Sequence, residues 1–154
     1  MLKEVKLIGT SALRDVENSD TFKKMIKDQI GYNLEVISGE KEAELIFKGV
    51  TLDFNFNNYV IIDIGGGSTE FIWQNFKDDE INMKSIDIGA VRITDRFIND
   101  VNIPLSRSKV EKISTHIRKT LKENIEISPD INNLIGVGGT ITTLSFYYVK
   151  IGKL

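Results

Sequence analysis

The first third of the chain alternates between β-prone runs and apolar residues at helical spacing. Residues 5–8 form a short β-prone run. Over residues 22–30 the apolar positions lie three or four apart, which predicts an amphipathic helix. Gly31 follows directly and is expected to be the C-cap of this helix. Residues 34–37 predict a second short strand.

A further helix is predicted to begin after Ser38, whose hydroxyl suits an N-cap. Apolar positions over residues 43–50 give this helix an apolar face. Residues 53–58 are polar, rich in asparagine and aromatic, and they predict a connection between two halves of the chain. The first turns of the helix are acidic, which favours the helix dipole, through Glu40, Glu42 and Glu44.

Three strands are expected in succession in the middle of the chain. Residues 59–64 are nearly all apolar, as in a strand that is buried on both faces. Three glycines then make a turn, and residues 69–74 return as the second strand of a hairpin. Residues 81–88 alternate again and predict the third strand.

The last part of the chain predicts three helices and one strand. One helix is expected over residues 89–99, and Ser106 or Ser108 suits the cap of a longer helix. Residues 134–137 predict a strand, and residues 138–148 a final helix. The order is β, α, β, α, hairpin, β, α, α, β, α. Because strands alternate with helices, the pattern predicts an α/β fold with a covered sheet.

Composition excludes some functional classes. Of the 154 residues 41% are hydrophobic and 27% are charged, as is usual for globular proteins, and the net charge is −2. We therefore expect no nucleic-acid partner and no membrane partner. No apolar run approaches the roughly 20 residues of a membrane helix. The chain has no cysteine, which excludes disulfides and thiolate chemistry, and a cytoplasmic location is expected.

The stretch DIGGGSTE, residues 63–70, is the strongest chemical feature. A buried strand delivers Asp63 at its carboxyl end, and Glu70 returns a second carboxylate beside the turn. A hard cation can bridge Asp63 and a phosphate, since hard cations prefer oxygen ligands. The alternative is a hairpin turn without a ligand, which leaves the acidic residue in an apolar strand unexplained. Backbone amides of such a turn can form an anion nest, which makes these residues phosphate-binding candidates: Gly65, Gly66, Gly67 and Ser68.

A second glycine turn contains Gly138, Gly139 and Thr140. It follows a predicted strand and opens a helix, so its free amides lie at the positive end of the helix dipole. Glycine-rich turns of this kind are common, and a purely structural turn is an equal alternative for this segment alone. Facing the first turn, it could hold a successive phosphate.

Two charged segments supply further candidates. Arg14 can grip a phosphate with two parallel hydrogen bonds, although a solvated arginine at a helix terminus is the alternative. The acidic residues of SGEKEA, residues 38–43, are ordinary helix caps unless one lies near a phosphate-bound water. In that position a carboxylate can act as a general base.

These segments, in this order and spacing, resemble the exopolyphosphatase / guanosine pentaphosphate phosphatase (Ppx/GppA) family of the actin-like ATPase superfamily. The glycine turn alone indicates only the superfamily, whereas SGEKEA and GAVRITDRF are more specific. The implied fold is α/β with ribonuclease-H-like lobes, each a mixed sheet with helices. The resemblance runs through nearly the whole chain and rests on GTSALRDVEN, EVISGEKEAELIFKGV, VIIDIGGGSTEFI, SIDIGAVRITDRF and IGVGGTITTL.

The resemblance implies hydrolysis of a terminal phosphoanhydride in polyphosphate or guanosine pentaphosphate. It makes Glu42 the general base, with Glu40 as the second choice, and Glu70 a holder of the water or the metal. It implies Mg²⁺ or another divalent cation at Asp63 and a phosphate clamp at Arg14. The phosphate cradles that it implies are residues 65–68 and 138–140.

Members of this family begin with a further strand and a glycine–serine turn of the Asp-x-Gly-Ser-Asn-Ser kind, and they continue past IGVGGT. The chain is therefore expected to be an internal fragment, with residues 1–54 from a first lobe and residues 55–154 from a second. We expect the fragment to be inactive by itself. Incomplete sheets expose edges, so a homodimer is expected. The alternative function is an actin-like regulatory protein that binds a nucleotide or phosphate without hydrolysis.

Overall fold

A computed structural model describes residues 4–53, 58–74, 80–127 and 131–150, in which six strands and six helices occur. The strands are β1 (Leu7–Gly9), β2 (Leu34–Val36), β3 (Tyr59–Ile64), β4 (Thr69–Gln74), β5 (Ile81–Ile86) and β6 (Asn133–Val137). The helices are α1 (Ser11–Asp15), α2 (Ser19–Ile30), α3 (Gly39–Asp53), α4 (Ala90–Phe97), α5 (Arg107–Asn124) and α6 (Gly138–Lys150). The predicted order is confirmed with one addition, the five-residue helix α1. Most of the connection predicted over residues 53–58 lies outside the described residues.

The strands form two sheets. β1 and β2 pair in parallel, and the larger sheet has the order β5-β4-β3-β6. In the larger sheet β3 pairs with β4 and β4 with β5 in antiparallel fashion, whereas β3 and β6 are parallel. The predicted α/β class with a mixed sheet is therefore confirmed.

Apolar residues on the two faces of the larger sheet pack against different helices. One cluster, built around Val60 and Trp73, is covered by side chains of α5. The other, built around Ile61 and Ile72, is covered by α3 through Ala43 and its neighbours. Adjacent residues of a strand point to opposite faces, which is why neighbouring positions of β3 and β4 enter different clusters. The packing of α3 here brings its first turn to the end of the β3–β4 hairpin.

Local capping follows the sequence at three helix ends. Gly31 adopts a left-handed conformation after α2, with its N–H donating to the carbonyl of Lys27 at 2.9 Å. The hydroxyl of Ser38 accepts from the N–H of Lys41 at 3.1 Å, which confirms the predicted cap of α3. Of the two serines that suited the cap of α5, Ser106 is the one used, accepting from the N–H of Lys109.

Some predicted inner faces are solvent-exposed in the described structure. Phe22 and Ile30, which bound the apolar spacing that predicted α2, are exposed. In α4, Val91 is exposed, whereas Phe97 is buried. No helix among the described residues combines the length and apolar character that a membrane crossing requires.

Candidate active site

The β3–β4 hairpin carries two acidic residues on opposite strands. Asp63 pairs directly with Glu70 in the antiparallel register. Directly opposite residues of such a pair point to the same face, so both carboxylates leave the same side of the hairpin. The N–H of Gly65 donates to the carbonyl of Ser68 at 3.0 Å, which closes the turn between them.

The start of α4 fastens this turn. The N–H of Ala90 donates to the carbonyl of Gly65, and the N–H of Val91 to that of Gly66, both at 2.9 Å. Gly89 lies so close to the turn that a Cβ atom there would collide with the Gly66 and Gly67 backbone. The carbonyls of the turn are therefore occupied by a packed helix, which holds its backbone in one conformation.

Arg92 of α4 adds a side-chain contact to the same turn. Its Nε donates to the carbonyl of Gly67 at 2.7 Å, and its Nη2 pairs with the carboxylate of Asp15 at the end of α1. Ser11 of α1 is buried against Gly67. The turn is thus clamped between α1 and α4.

Arg14 of α1 joins the hairpin to α3. Its Nη1 donates at 2.9 Å both to Oε2 of Glu42 and to the carbonyl of Ile37, and its Nη2 lies 3.5 Å from the hydroxyl of Ser68. The side chains of Arg14 and Glu42 are only 22% and 20% exposed. Arg14 is therefore an engaged arginine and not the solvated one of the alternative interpretation. Its partner on α3 is Glu42 and not Glu40, which is exposed.

Glu70 is the most deeply buried acidic side chain of the site, at 1% exposed. The hydroxyl of Ser85 on β5 donates to its Oε1 at 2.7 Å. Burial raises the pKa of Glu70, the hydrogen bonds from Ser85 and Ser68 lower it, and the charges of Glu42 and Asp63 raise it again. The two serines thus partly offset the burial of this charge.

Asp63, near the end of β3, lies against the start of α6. Burial raises its pKa, and the negative charge of Glu42 raises it further. Asp63 pairs with Val137 of β6, and a Cβ atom at Gly138 would reach Oδ1 of Asp63. Because β3 and β6 are parallel, the two glycine turns follow neighbouring strands at the same edge of the sheet. A Cβ atom at Gly139 would meet open space, and Thr140 is half-buried.

The donor atoms of this site suit a hard cation. Asp63 and Glu70 supply carboxylate oxygens, and burial raises the pKa of both. No group of three acidic, histidine or cysteine side chains in the described parts of the chain could hold a metal alone. Mg²⁺ typically uses one or two carboxylates and completes its shell with water and phosphate oxygens, so these residues fit it.

The sequence singled out neither Ser85 nor Arg92 for a role. Both lie in the segment SIDIGAVRITDRF, which entered only through its resemblance to a family. The pairing of Ser85 with Glu70 depends on the register between β4 and β5, and that of Arg92 with Asp15 on how two distant helices pack. In the sequence, Ser85 is only a polar residue in a strand of alternating pattern. Such residues are equally common where a strand faces solvent, so this position alone does not indicate a role.

Residues 1–152 match the Ppx/GppA phosphatase family. The chain belongs to this family. It is 39% identical over 145 residues to a bifunctional 3-dehydroquinate synthase/phosphatase of Fusobacterium nucleatum, which covers 92% of the chain but 22% of that protein. It is 34% identical over 152 residues to exopolyphosphatase 2 of Mycobacterium tuberculosis, and the match covers 93% of this chain and 46% of that protein. A guanosine-5'-triphosphate,3'-diphosphate pyrophosphatase of Pseudoalteromonas translucida is 37% identical over 103 residues, and the match covers 66% of this chain and 20% of that protein.

Solved structures of the Ppx/GppA family have the same fold. An exopolyphosphatase-like protein superposes with a TM-score of 0.86 at 28% identity, covering 97% of this chain and 49% of that one. An exopolyphosphatase from Cytophaga hutchinsonii has a TM-score of 0.73 at 30% identity, covering 96% and 48%. The chain therefore spans about half the length, or less, of the relatives that it matches.

Proposed function

We propose that the protein containing this chain is a hydrolase that releases orthophosphate from the phosphoanhydride end of polyphosphate or guanosine pentaphosphate. The observation that carries the proposal is the ion pair of Arg14 with Glu42 beside the turn that bears Asp63 and Glu70. A carboxylate held near a phosphate-binding turn is what a water-activating base requires. Relatives named for polyphosphate and for guanosine-5'-triphosphate,3'-diphosphate support both substrate classes.

Substrate binding is assigned to the two glycine turns. In the turn of residues 65–68, the amides other than that of Gly65, which donates to Ser68, would bind one phosphate group. Residues 138–140 at the start of α6 would bind another, aided by the helix dipole. Arg14 would add positive charge, since one of its nitrogens already lies 3.5 Å from the Ser68 hydroxyl. The proposed phosphate sites thus rest on backbone amides together with a single arginine.

Glu42 would take a proton from the attacking water. The water oxygen forms a bond to the terminal phosphorus while the bridging P–O bond breaks, and the leaving phosphate oxygen receives the electron pair. Arg14 holds one oxygen of Glu42, which orients the carboxylate. Catalysis of this kind depends on positioning and on stabilising charge, with no covalent intermediate on the protein.

Asp63, with Glu70 opposite, would hold Mg²⁺ or a similar divalent cation. When bound, such a cation neutralises part of the phosphate charge. The chain's own residues contribute oxygen donors on a hairpin that α4 holds in place.

Glu42→Gln in the full-length protein tests the base. We expect orthophosphate release from polyphosphate with Mg²⁺ to fall at least about 100-fold, because the amide cannot accept the proton. Glu44→Gln is the matched control, since Glu44 lies on the same helix and pairs with Lys41 and Lys48 at 2.7 and 2.5 Å. Its activity should equal the wild type. Unchanged release by the Glu42 variant would contradict the assignment of the base.

The same assay separates hydrolysis from binding alone. A wild-type protein that binds polyphosphate or a nucleotide but releases no orthophosphate would support a regulatory binding protein and overturn the hydrolase proposal. We also propose that residues 1–154 are inactive by themselves, which a parallel assay of this chain and the full-length protein tests.

A further inference from the structure

Ser85 lies directly opposite the buried carboxylate of the site. It pairs with Glu70 in the register of β4 and β5, and its hydroxyl donates to Oε1 of Glu70 at 2.7 Å. A hydroxyl that donates to a carboxylate makes a charge-assisted hydrogen bond, which is stronger than a neutral one. One oxygen of Glu70 is therefore held in place from the neighbouring strand.

Ser85 also touches the start of the helix that carries Glu42. A Cβ atom added at Gly39, the first residue of α3, would collide with both Cβ and Oγ of Ser85. The absence of a side chain at Gly39 is what lets the helix approach β5 this closely. A single serine thus contacts Glu70 and also the first turn of α3.

Ser85 also lines a cavity beside the first turn of α3. A cavity of about 240 Å³ is lined by Arg14, Gly39, Glu40, Lys84, Ser85 and Asp87. Glu70 is 1% exposed and is not part of this lining. Ser85 therefore lines the cavity and also contacts the buried carboxylate.

We propose that Ser85 is a positioning residue, whose hydroxyl holds the Glu70 carboxylate in the orientation that faces the glycine turn. The proposal rests on the proposed hydrolase function, in which Glu70 holds the water or the metal. A glutamate has several rotatable bonds, and without the Ser85 hydroxyl its carboxylate would be restrained by the hydrogen bond from Ser68 alone. Glu70 would remain buried while its oxygens no longer lie where the reaction needs them.

Kinetics of Ser85 variants of the full-length protein test the role. Ser85→Ala should lower kcat for orthophosphate release about 10- to 100-fold while KM changes less than about twofold. Ser85→Thr keeps the hydroxyl and should recover most of kcat. If its added methyl group beside Gly39 prevents folding, Ser85→Cys, a weak donor of similar size, should stay close to the alanine variant. Asn82→Ala on the same strand should behave as the wild type.

A double-mutant cycle for stability gives a second readout that needs no catalysis. The urea midpoints of Ser85→Ala, Glu70→Gln and the double variant should be non-additive, because the two residues share one hydrogen bond. Additive midpoints, or a Ser85→Ala variant with unchanged kcat, would overturn the positioning role. A wild type that releases no orthophosphate would overturn the proposed function instead, and the cycle alone would then decide whether Ser85 holds Glu70.

Discussion

At the scale of single residues, the site concentrates negative charge where water is partly excluded. Burial raises the pKa of both Asp63 and Glu70, and Glu42 adds a third carboxylate that Arg14 neutralises. Removing charged groups from water costs free energy unless they are paired. The buried Glu70, which Ser85 and Ser68 hydrogen-bond, is therefore a local cost to stability beside Asp63, as is common where a site is built for binding.

The cost of burying Glu70 predicts how stability depends on pH without metal. In the folded state the pKa of Glu70 lies above its ordinary 4.5. The stability that protonated Glu70 contributes to the folded protein is therefore fully present below the pKa of the unfolded state. It is lost as pH rises through the pKa of the folded state. Glu70→Gln removes this pH-dependent loss of stability, because glutamine does not ionise. We expect the variant to gain stability relative to the wild type as pH rises from about 4 to 7.

Urea unfolding at both pH values, with a chelator present, measures this difference. Asp63 and Glu42 act electrostatically on Glu70 and are present in both proteins, so the difference reports the loss of the Glu70 charge together with its effect on these two neighbours. A variant whose relative stability is the same at both pH values would contradict the prediction.

At the scale of elements, neighbouring segments determine the shape of the glycine turns. α4 supplies three backbone donors and the side chain of Arg92 to the first turn. In the second, Gly138 has a φ of 82° and lies against Asp63, whereas a Cβ atom at Gly139 would meet nothing within 4 Å. The two adjacent glycines therefore differ in what they tolerate, although they are identical in sequence.

This difference predicts opposite outcomes for two alanine substitutions. Gly138→Ala should lower the free energy of unfolding by about 1–3 kcal/mol, because the left-handed backbone is unfavourable for alanine and the added Cβ meets Asp63. Gly139→Ala should be neutral or slightly stabilising, since alanine favours a helix. Chemical denaturation of both variants checks this, and equal losses would show that the left-handed conformation is not what matters.

At the scale of the whole molecule, α3 connects the two sheets. It follows β2 of the small sheet in sequence and packs on β4 and β5 of the large one. The division into lobes at residues 54 and 55 remains a prediction. Several apolar residues of α6 are exposed, including Tyr147 and Tyr148.

Because these apolar side chains and the sheet edges are exposed, we predict that the 154-residue chain self-associates. Light scattering at rising concentration should give a mass that increases from 17.4 kDa towards that of a dimer. The double variant Phe146→Lys and Val149→Lys, with both changes at exposed positions of α6, should shift the equilibrium to monomer. Thr115→Lys, at an exposed position of α5, should not. A single monomeric mass at every concentration would count against the prediction.

The sequence by itself determined what depends on local order. Periodicity predicted the strands and the helices other than the short α1, and Gly31 and Ser38 marked helix ends. DIGGGSTE indicated the hairpin with two carboxylates. All these features arise from residues near one another in the chain. The sequence also indicated the family, and the match of residues 1–152 to the Ppx/GppA phosphatase family confirms it.

Only the tertiary structure decided which distant side chains meet. Arg14 reaches Glu42 across 28 positions, and Arg92 reaches Asp15 across 77, distances at which no periodic pattern carries information. Ser85 required the strand register, since a shift of one residue would turn it to the opposite face. The exposure of α6 likewise depends on which elements lie beside it, and hydrophobicity along the chain does not specify its neighbours.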